Sequence, residues 1–209
     1  MYNVIDLEAV KCLVQGLKIY NIPGVITEKS LAECFAQEYA AIKGLKYVKT
    51  MTQRIYELEA VNPEVKQFGK VRLIEERDMY FFPYWLEAFN ASMVYGNTQM
   101  SSPEEEWLYR YRISQKKIYL LEIDGIPVSM AGYSRELPNS LGIAFVYTPP
   151  YFRGKGYASS CVAQISQMAL DNGYKKCVLN ADLANPTANS IYQKIGYKPV
   201  CDALLYKFE

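Results

Sequence analysis

The stretch Arg153-Gly154-Lys155-Gly156-Tyr157-Ala158 lies between a segment with strand character, Leu141 to Thr148, and a segment patterned as a helix, about Gly156 to Asp171. Glycines at such a junction let the backbone turn tightly and approach a ligand without a Cβ collision. The first amides of the helix have no partners within the helix and lie at the positive end of its dipole. The stretch therefore predicts a site for an anion such as a pyrophosphate.

Two common phosphate-binding motifs do not fit this stretch. A Walker A loop ends in Gly-Lys followed by Ser or Thr, whereas Lys155 is followed by Gly156. A dinucleotide-binding GxGxxG motif fails because position 159 is Ser and no acidic residue closes a second strand. A turn with two glycines also fits a plain strand-to-helix connection, so the function depends on a second motif.

The second motif is Asn185-Pro186-Thr187-Ala188-Asn189-Ser190-Ile191-Tyr192-Gln193-Lys194-Ile195-Gly196-Tyr197. Asn185 is suited to cap a helix that Pro186 opens. Asn189 and Tyr192 are three residues apart, so on a helix they reach the same neighbouring groove. The motif predicts a short helix that presents polar side chains to a ligand.

These two motifs occur in order, separated by one helix and one strand, and with them the sequence resembles the GNAT superfamily of acyl-CoA N-acyltransferases over residues 69–209. The family's [QR]xxGx[GA] pyrophosphate loop is matched by Arg153, Gly156 and Ala158. Its NxxAxxxYxxxG[FY] helix and turn are matched by Asn185, Ala188, Tyr192, Gly196 and Tyr197. The resemblance implies an α/β GNAT fold, a mixed twisted sheet flanked by helices.

The resemblance also implies roles for single residues, with acetyl-CoA as co-substrate. The strand ending at Thr148 would splay from its neighbour. The Val146 amide would polarise the thioester carbonyl, and Tyr192 would be the general acid that protonates the departing thiolate. The residues implied to hold the cofactor are Val146, Tyr147, Thr148, Arg153, Gly154, Lys155, Gly156, Tyr157, Ala158, Asn185 and Asn189.

The resemblance does not identify the general base. Members of the family often carry a glutamate on the strand that corresponds to Leu141–Thr148, and this sequence has no acid there. Asp182, at the end of the next predicted strand, is the first candidate and completes the predicted catalytic set. Glu122, Glu136 and a water chain remain open.

The first third of the chain is predicted to be a separate element. We expect residues 1–65 to form an N-terminal α/β extension and residues 66–209 to form the acetyltransferase domain. The extension offers two helices and a strand, too little for a core of its own. It resembles a degenerate GNAT half without the pyrophosphate loop, so we expect it to bind no CoA. A wall of the acceptor pocket, an oligomer surface in a possible homodimer and plain packing remain open as its role.

Local patterns predict the other elements. Apolar periodicity predicts helices at residues 7–20 and from Glu28 to about Lys43, and β-branched and aromatic residues predict strands at Tyr47–Val61 and Lys70–Ile74. Asp124-Gly125 predicts a hairpin turn. Further helices are predicted from about Met79 to Asn90, capped by Asp78, and from Ser102 to about Gln115. A strand is predicted at Lys176–Ala181 and another at Pro199–Phe208.

Composition limits the class of protein. The chain has 209 residues, half of them hydrophobic, and a net charge of +1, which is typical of a globular protein without a field that attracts nucleic acid or an anionic membrane. The absence of histidine excludes Ser-His and Cys-His nucleophile pairs and HExxH zinc sites, and we expect no metal. Five cysteines without a CxxC pair, no signal peptide and no long apolar run predict reduced thiols in the cytoplasm.

The primary prediction is therefore an N-acetyltransferase that moves acetyl from acetyl-CoA to a primary amine by direct attack. A non-catalytic CoA-binding regulatory module is the first alternative, and a structural protein that keeps only the fold is the second. The acceptor is a small-molecule or peptide amine, and a polyamine, an amino acid, an antibiotic amine and a protein N-terminus or lysine all remain open.

Overall fold

The computed structural model describes residues 6–91 and 106–209. In chain order, the elements are α1 (Leu7–Leu17), β1 (Gly24–Glu28), α2 (Lys29–Lys43), β2 (Tyr47–Leu58), β3 (Lys70–Leu73), α3 (Phe82–Ala91), α4 (Glu106–Ser114), β4 (Ile118–Ile123), β5 (Ile126–Leu137), β6 (Ser140–Tyr147), α5 (Tyr157–Asp171), β7 (Lys176–Asp182), α6 (Pro186–Ile195) and β8 (Lys198–Phe208). No helix in these two ranges is long and apolar enough to cross a lipid bilayer.

The described residues form two compact units. The smaller unit takes its residues from 6–55, Asn180–Pro186 and Pro199–Glu209, and the larger unit comprises 56–91, 106–179 and Thr187–Lys198. The division of the chain at residues 65 and 66 stays a prediction.

The larger unit contains a mixed sheet with helices packed against it. Its strands lie in the order β7-β6-β5-β4-β3, with antiparallel pairs from β3 to β6 and a parallel pair between β6 and β7. The hairpin between β4 and β5 turns at Asp124 and Gly125, whose φ angles of 51° and 77° are the left-handed values that a tight hairpin turn requires. The prediction of an α/β fold with a mixed sheet flanked by helices is confirmed.

Two helices of the larger unit bury their apolar faces on the central strands. The core between α3, α4, β4 and β5 consists of Ile74, Phe82, Leu86, Tyr109, Ile113, Ile118, Leu120 and Met130. Each of these side chains is less than 8% exposed, so this core is closed to water. It fixes the two helices next to β6, the strand that leads to the predicted site.

The smaller unit contains a strand that was not predicted from the sequence. Gly24 begins this strand, β1, which pairs antiparallel with β8. A Cβ at Gly24 would lie 2.4 Å from the Tyr206 carbonyl oxygen, so glycine is needed for this close approach. This strand has five residues and pairs with β8, which is distant in the sequence. The residues around it therefore give little indication of a strand.

The helix predicted from about Met79 begins later than expected, and Asp78 does not cap it. Asp78 ends a short 3-10 turn, Glu76–Asp78, and α3 starts at Phe82. The Asp78 carboxylate accepts hydrogen bonds from the Arg72 guanidinium at 2.7 and 2.8 Å and from the Glu75 amide. The carboxylate is thus used to join β3 to this turn. The predicted start of the next helix, at Ser102, lies outside the described residues.

Candidate functional site

Strand β6 carries an irregularity close to the predicted site. Gly132 of β5 pairs with Ala144, whereas Met130 pairs with Tyr147, so β6 has one residue more than its partner over this stretch. The φ angle of Phe145 is 56°, a left-handed value that a bulky side chain rarely adopts. Such a bulge costs on the order of 1–3 kcal/mol of backbone strain, and bulges beside active sites redirect the groups that follow them. The group that follows is Val146.

The far side of β6 ends its ladder early. The parallel pairs with β7 run from Ser140 and Lys176 to Gly142 and Val178, while β6 itself continues to Tyr147. This is the arrangement that the expected splay of the strand requires. Backbone groups of β6 beyond Gly142 therefore lie past the end of that ladder, where an extended ligand can pair with them.

The end of β6 is tied to the loop that follows it. The Arg153 guanidinium donates from Nε to the Thr148 carbonyl oxygen at 2.9 Å and lies 6.0 Å from the centre of the Tyr147 ring. The fully buried Ser129 hydroxyl donates to the Tyr147 carbonyl and lies 2.8 Å from the Thr148 hydroxyl. These contacts fix the direction in which the chain leaves the strand.

The glycine loop provides a set of main-chain donors. Gly154 and Gly156 have φ angles of 76° and 82°, and Gly156 caps α5 without a side-chain hydrogen bond. No amide from Gly154 to Ala158 donates a hydrogen bond to any residue that the structure describes. These donors lie at the positive end of the α5 dipole, where an anion is favoured. The helix is held behind them by three fully buried side chains, Cys161, Val162 and Ile165.

A short segment before β3 covers the first turn of α5 and was not identified from the sequence. The Ser160 hydroxyl accepts from the Phe68 amide at 2.7 Å and lies 2.9 Å from the Phe68 carbonyl oxygen, to which Gln164 also donates. The Phe68 ring lies 6.2 Å from the Tyr157 ring. Phe68 therefore forms an apolar wall next to the loop amides. Only the pairing of Ser160 and Gln164 on one helix face could have indicated this contact.

Helix α6 presents Tyr192 in an aromatic environment. The Tyr192 ring is 8% exposed and lies 6.3 Å from the Tyr56 ring and 6.1 Å from the Tyr197 ring. Its hydroxyl makes no hydrogen bond to any residue within 6–91 and 106–209. Burial raises the pKa of Tyr192 to about 12, so the hydroxyl keeps its proton at neutral pH. A protonated phenol without a protein partner is available to a ligand.

Tyr56 was not predicted as a site residue. Its hydroxyl donates to the Asn189 side-chain oxygen at 2.8 Å, and its side chain is fully buried. Tyr56 thus holds the carboxamide of a residue that was predicted to contact the cofactor. The sequence gives no local signal for this pair, because 133 positions separate the two residues.

The base candidates have different partners. Glu122 accepts from Arg72 at 2.7 Å, and Glu136 accepts from the Tyr174 hydroxyl, so both carboxylates are engaged in structural contacts. The Asp182 carboxylate accepts from the Ala184 amide at 2.9 Å. Asp182 and Asn185 belong to the smaller unit, in which an open pocket of about 430 Å³ is lined by Lys49, Thr50, Met51, Thr52, Asp182, Leu183 and Ala184.

The face of β6 toward α3 and α4 is aromatic. Trp85 packs on Tyr147 at 6.1 Å and Phe89 packs on Phe145 at 5.8 Å between ring centres. The Arg112 guanidinium lies 5.5 Å from the centre of the Phe145 ring. Of the aromatic residues of α4, Tyr109 is buried in the core, and Trp107 and Tyr111 are exposed.

The described ranges were also compared with the requirements of a metal site and of a reactive thiol. There, no three His, Cys, Asp or Glu side chains cluster as metal ligands. Cys161 and Cys177 are fully buried, and burial raises the pKa of their thiols to about 12 and about 11. A thiol with such a pKa is a poor nucleophile at neutral pH.

Comparison with known proteins identifies the family. Residues 75–197 match the sequence model of the acetyltransferase (GNAT) family. No curated protein matches the chain. A GNAT-family acetyltransferase from Colwellia psychrerythraea is similar in structure, with a TM-score of 0.62 and 13% identity over 100% of this chain and 74% of that one.

Two further solved structures show the same likeness. A GCN5-related N-acetyltransferase from Sphaerobacter thermophilus has a TM-score of 0.60 and 15% identity over 88% of this chain and 59% of that one. A GCN5-related N-acetyltransferase from Kribbella flavida has a TM-score of 0.55 and 14% identity over 97% of this chain and 95% of that one. At these identities, the structural likeness shows the fold alone.

Proposed function

We propose, from the premise that this chain belongs to the acetyltransferase (GNAT) family and is an N-acetyltransferase, that its donor is acetyl-CoA and its acceptor a primary amine. The observation that carries the proposal is the set of main-chain amides from Gly154 to Ala158, which lack partners among the described residues. They lie at the start of α5, in the connection that follows β6, the strand that carries the bulge at Phe145.

In this proposal, the loop holds the pyrophosphate of acetyl-CoA. Amides of residues 154–158 donate to its oxygens, and the α5 dipole adds a favourable field. Lys155, whose ammonium lies 5.1 Å from the Tyr151 ring centre, supplies a nearby positive charge. Arg153 keeps the strand end and the loop in a fixed relation through the Thr148 carbonyl. The loop binds without chemistry of its own.

The pantetheine arm then lies along β6 beyond Gly142, where the ladder with β7 has ended. Backbone groups of Val146, Tyr147 and Thr148 pair with it, and the Asn189 carboxamide, held by Tyr56, contacts it from α6. Asn185 remains a proposed contact of the same arm. In this proposal, the thioester carbonyl oxygen lies at the Val146 amide, which stabilises the negative charge that develops on it.

The chemical step is a direct attack. The amine lone pair forms a bond to the thioester carbon, the tetrahedral intermediate collapses, and the carbon–sulfur bond breaks. Tyr192 donates its proton to the leaving thiolate, and water restores that proton. The nitrogen gives up its extra proton to a base, for which Asp182 is the proposed residue and a water chain is the alternative.

Binding and thiol release test the proposal in sequence. Titration calorimetry with acetyl-CoA should show one site per chain, and saturation at ~100 times Kd should raise the free energy of unfolding by about 2.7 kcal/mol. A mixture of primary amines should then accelerate thiol release. Binding without amine-dependent release favours the non-catalytic module, and the absence of binding contradicts both.

A further inference from the structure

Arg112 lies over an aromatic ring of β6. It is exposed near the end of α4, with its guanidinium over the Phe145 ring at 5.5 Å. Phe145 is the strained residue of the bulge and immediately precedes Val146, the proposed oxyanion donor. Arg112 therefore contacts the residue that directly precedes the proposed oxyanion donor.

The other charges on α3 and α4 are matched. Arg110, two residues before Arg112, donates to Glu106 at 2.9 Å and also to Glu76. Glu87 accepts from the Tyr109 hydroxyl at 2.6 Å. Arg112, by contrast, contacts no carboxylate in the part of the chain that the structure describes. Among the described residues, its charge therefore has no carboxylate partner.

The contact with Phe145 also sets how Arg112 can bind. An arginine whose guanidinium lies over an aromatic ring makes a cation–π contact. The N–H groups lie in the guanidinium plane and stay available, arranged as a fork that matches a carboxylate. The ring restricts the plane of that fork, so less side-chain freedom is lost when it binds.

We infer that the acceptor is an amine that also carries a carboxylate, as an α-amino acid does, and that Arg112 binds this carboxylate while the amine attacks the thioester. The inference rests on the proposed function and adds the substrate class. The half-buried rings of Trp85, Phe89 and Phe145 line the same face, so an acceptor with an apolar side chain fits better than one with a polar side chain.

The test uses pairs of amines that differ only in the carboxylate. Phenylalanine is compared with phenylethylamine, and leucine with 3-methylbutylamine, with thiol release from acetyl-CoA as the readout. We expect a higher kcat/KM for the amino acid in each pair. R112Q should lower kcat/KM for the amino acids about tenfold and leave the amines lacking a carboxylate unaffected. R110Q, on the same helix but with its carboxylate partners present, is the matched control and should show no such selectivity.

The outcomes separate this inference from the proposed function. Acetyl-CoA binding measured by calorimetry tests the proposed function without any acceptor. If acetyl-CoA binds but the enzyme prefers the amines lacking a carboxylate, uses both classes equally or uses neither amino acid, the inference on Arg112 is overturned. The same conclusion follows if R112Q lowers kcat/KM equally for both members of a pair. Loss in R112Q of the amino-acid preference alone supports it.

Discussion

The loop at Arg153–Ala158 and helix α6 belong to the same proposed site but are built in different ways. The loop offers main-chain amides, and its two glycines take left-handed angles that any larger side chain would strain. Helix α6 offers the Tyr192 hydroxyl and the Asn189 carboxamide, held by the buried rings of Tyr56 and Tyr197. One region depends on backbone conformation, and the other depends on single side-chain atoms.

This difference predicts different consequences of mutation. Changes in the loop should act through conformation and weaken binding of acetyl-CoA, since no loop side chain takes part in the proposed chemistry. Changes in α6 that remove one atom should leave the fold intact and affect the step in which that atom acts. The experiments below test this division, in order of decreasing expected effect.

Removal of the Tyr192 hydroxyl should have the largest effect. Y192F is expected to lower kcat by about 10²- to 10⁴-fold, the usual contribution of a general acid, while Kd for acetyl-CoA stays unchanged. The hydroxyl bonds to no described residue, so the free energy of unfolding should not change.

Y197F is the control for this variant. It breaks the 2.8 Å contact with Ser166 and should lower the free energy of unfolding by about 1 kcal/mol while kcat is retained. Steady-state kinetics and thermal unfolding give both readouts. Turnover near wild type in Y192F would show that another group protonates the thiolate.

A methyl group in the loop should have the next largest effect. G156A forces a non-glycine residue to φ 82° and places a Cβ 3.2 Å from the Phe68 ring. Left-handed strain of about 1–2 kcal/mol should weaken acetyl-CoA binding about tenfold, with kcat at saturation retained. G173A is the control, because Gly173 has φ 96° with open space around its Cβ position and lies at the other end of α5. It should lower stability to a similar degree and leave Kd unchanged. Equal losses of affinity in both variants would mean that the loop has no special role.

Loss of the Tyr56 hydroxyl should have a smaller effect. Y56F removes the 2.8 Å bond to Asn189 and should raise KM for acetyl-CoA several-fold, in line with about 0.5–1.5 kcal/mol for one hydrogen bond. A double-mutant cycle with N189A tests the mechanism. If Tyr56 acts by orienting Asn189, the double variant is no worse than N189A alone. Additive losses in KM would contradict that role.

The smallest expected effect is that of raising the pH above neutrality. It acts on the free energy of unfolding through buried tyrosine and cysteine side chains. Burial raises the pKa of Tyr192 and of the Cys161 thiol to about 12. In the unfolded chain these groups lose their protons at their ordinary pKa values of 10.0 and 9.0, so the unfolded state gains on the folded state as pH rises. The free energy of unfolding should be complete below about pH 9 and fall as the pH approaches about 12. Denaturant titrations across this range measure it, and kcat should show no loss from Tyr192 ionisation below about pH 11. A free energy of unfolding that stays constant up to about pH 11 would show that these side chains are solvated.

The features that were predicted from the sequence are those with a local cause. Glycine spacing indicated the loop, and the spacing of Asn189 and Tyr192 indicated the face of α6. The bulge at Phe145 was not predicted, because its left-handed angle follows from how β6 pairs with its neighbours. A phenylalanine gives no hint of that angle, whereas a glycine or an asparagine would have done so.

Features that depend on distant partners were missed for a related reason. The bond from Tyr56 to Asn189 joins residues far apart in the chain. Asp78 has the residue type and position of a helix cap, but its carboxylate binds the Arg72 guanidinium and does not cap α3. The contact between Arg112 and Phe145 joins α4 to β6. Patterns within a window of the sequence cannot show such pairings.

The pairing of β1 with β8 has a consequence for how the protein is made. Gly24 pairs with Lys207 and Glu28 with Ala203, so β1 leaves the ribosome long before the strand with which it pairs. Until then the nascent chain exposes the edge of β1, which is open to wrong pairing with other chains. We expect deletion of residues 203–207 to reduce the yield of correctly folded protein, because β1 then lacks its partner strand.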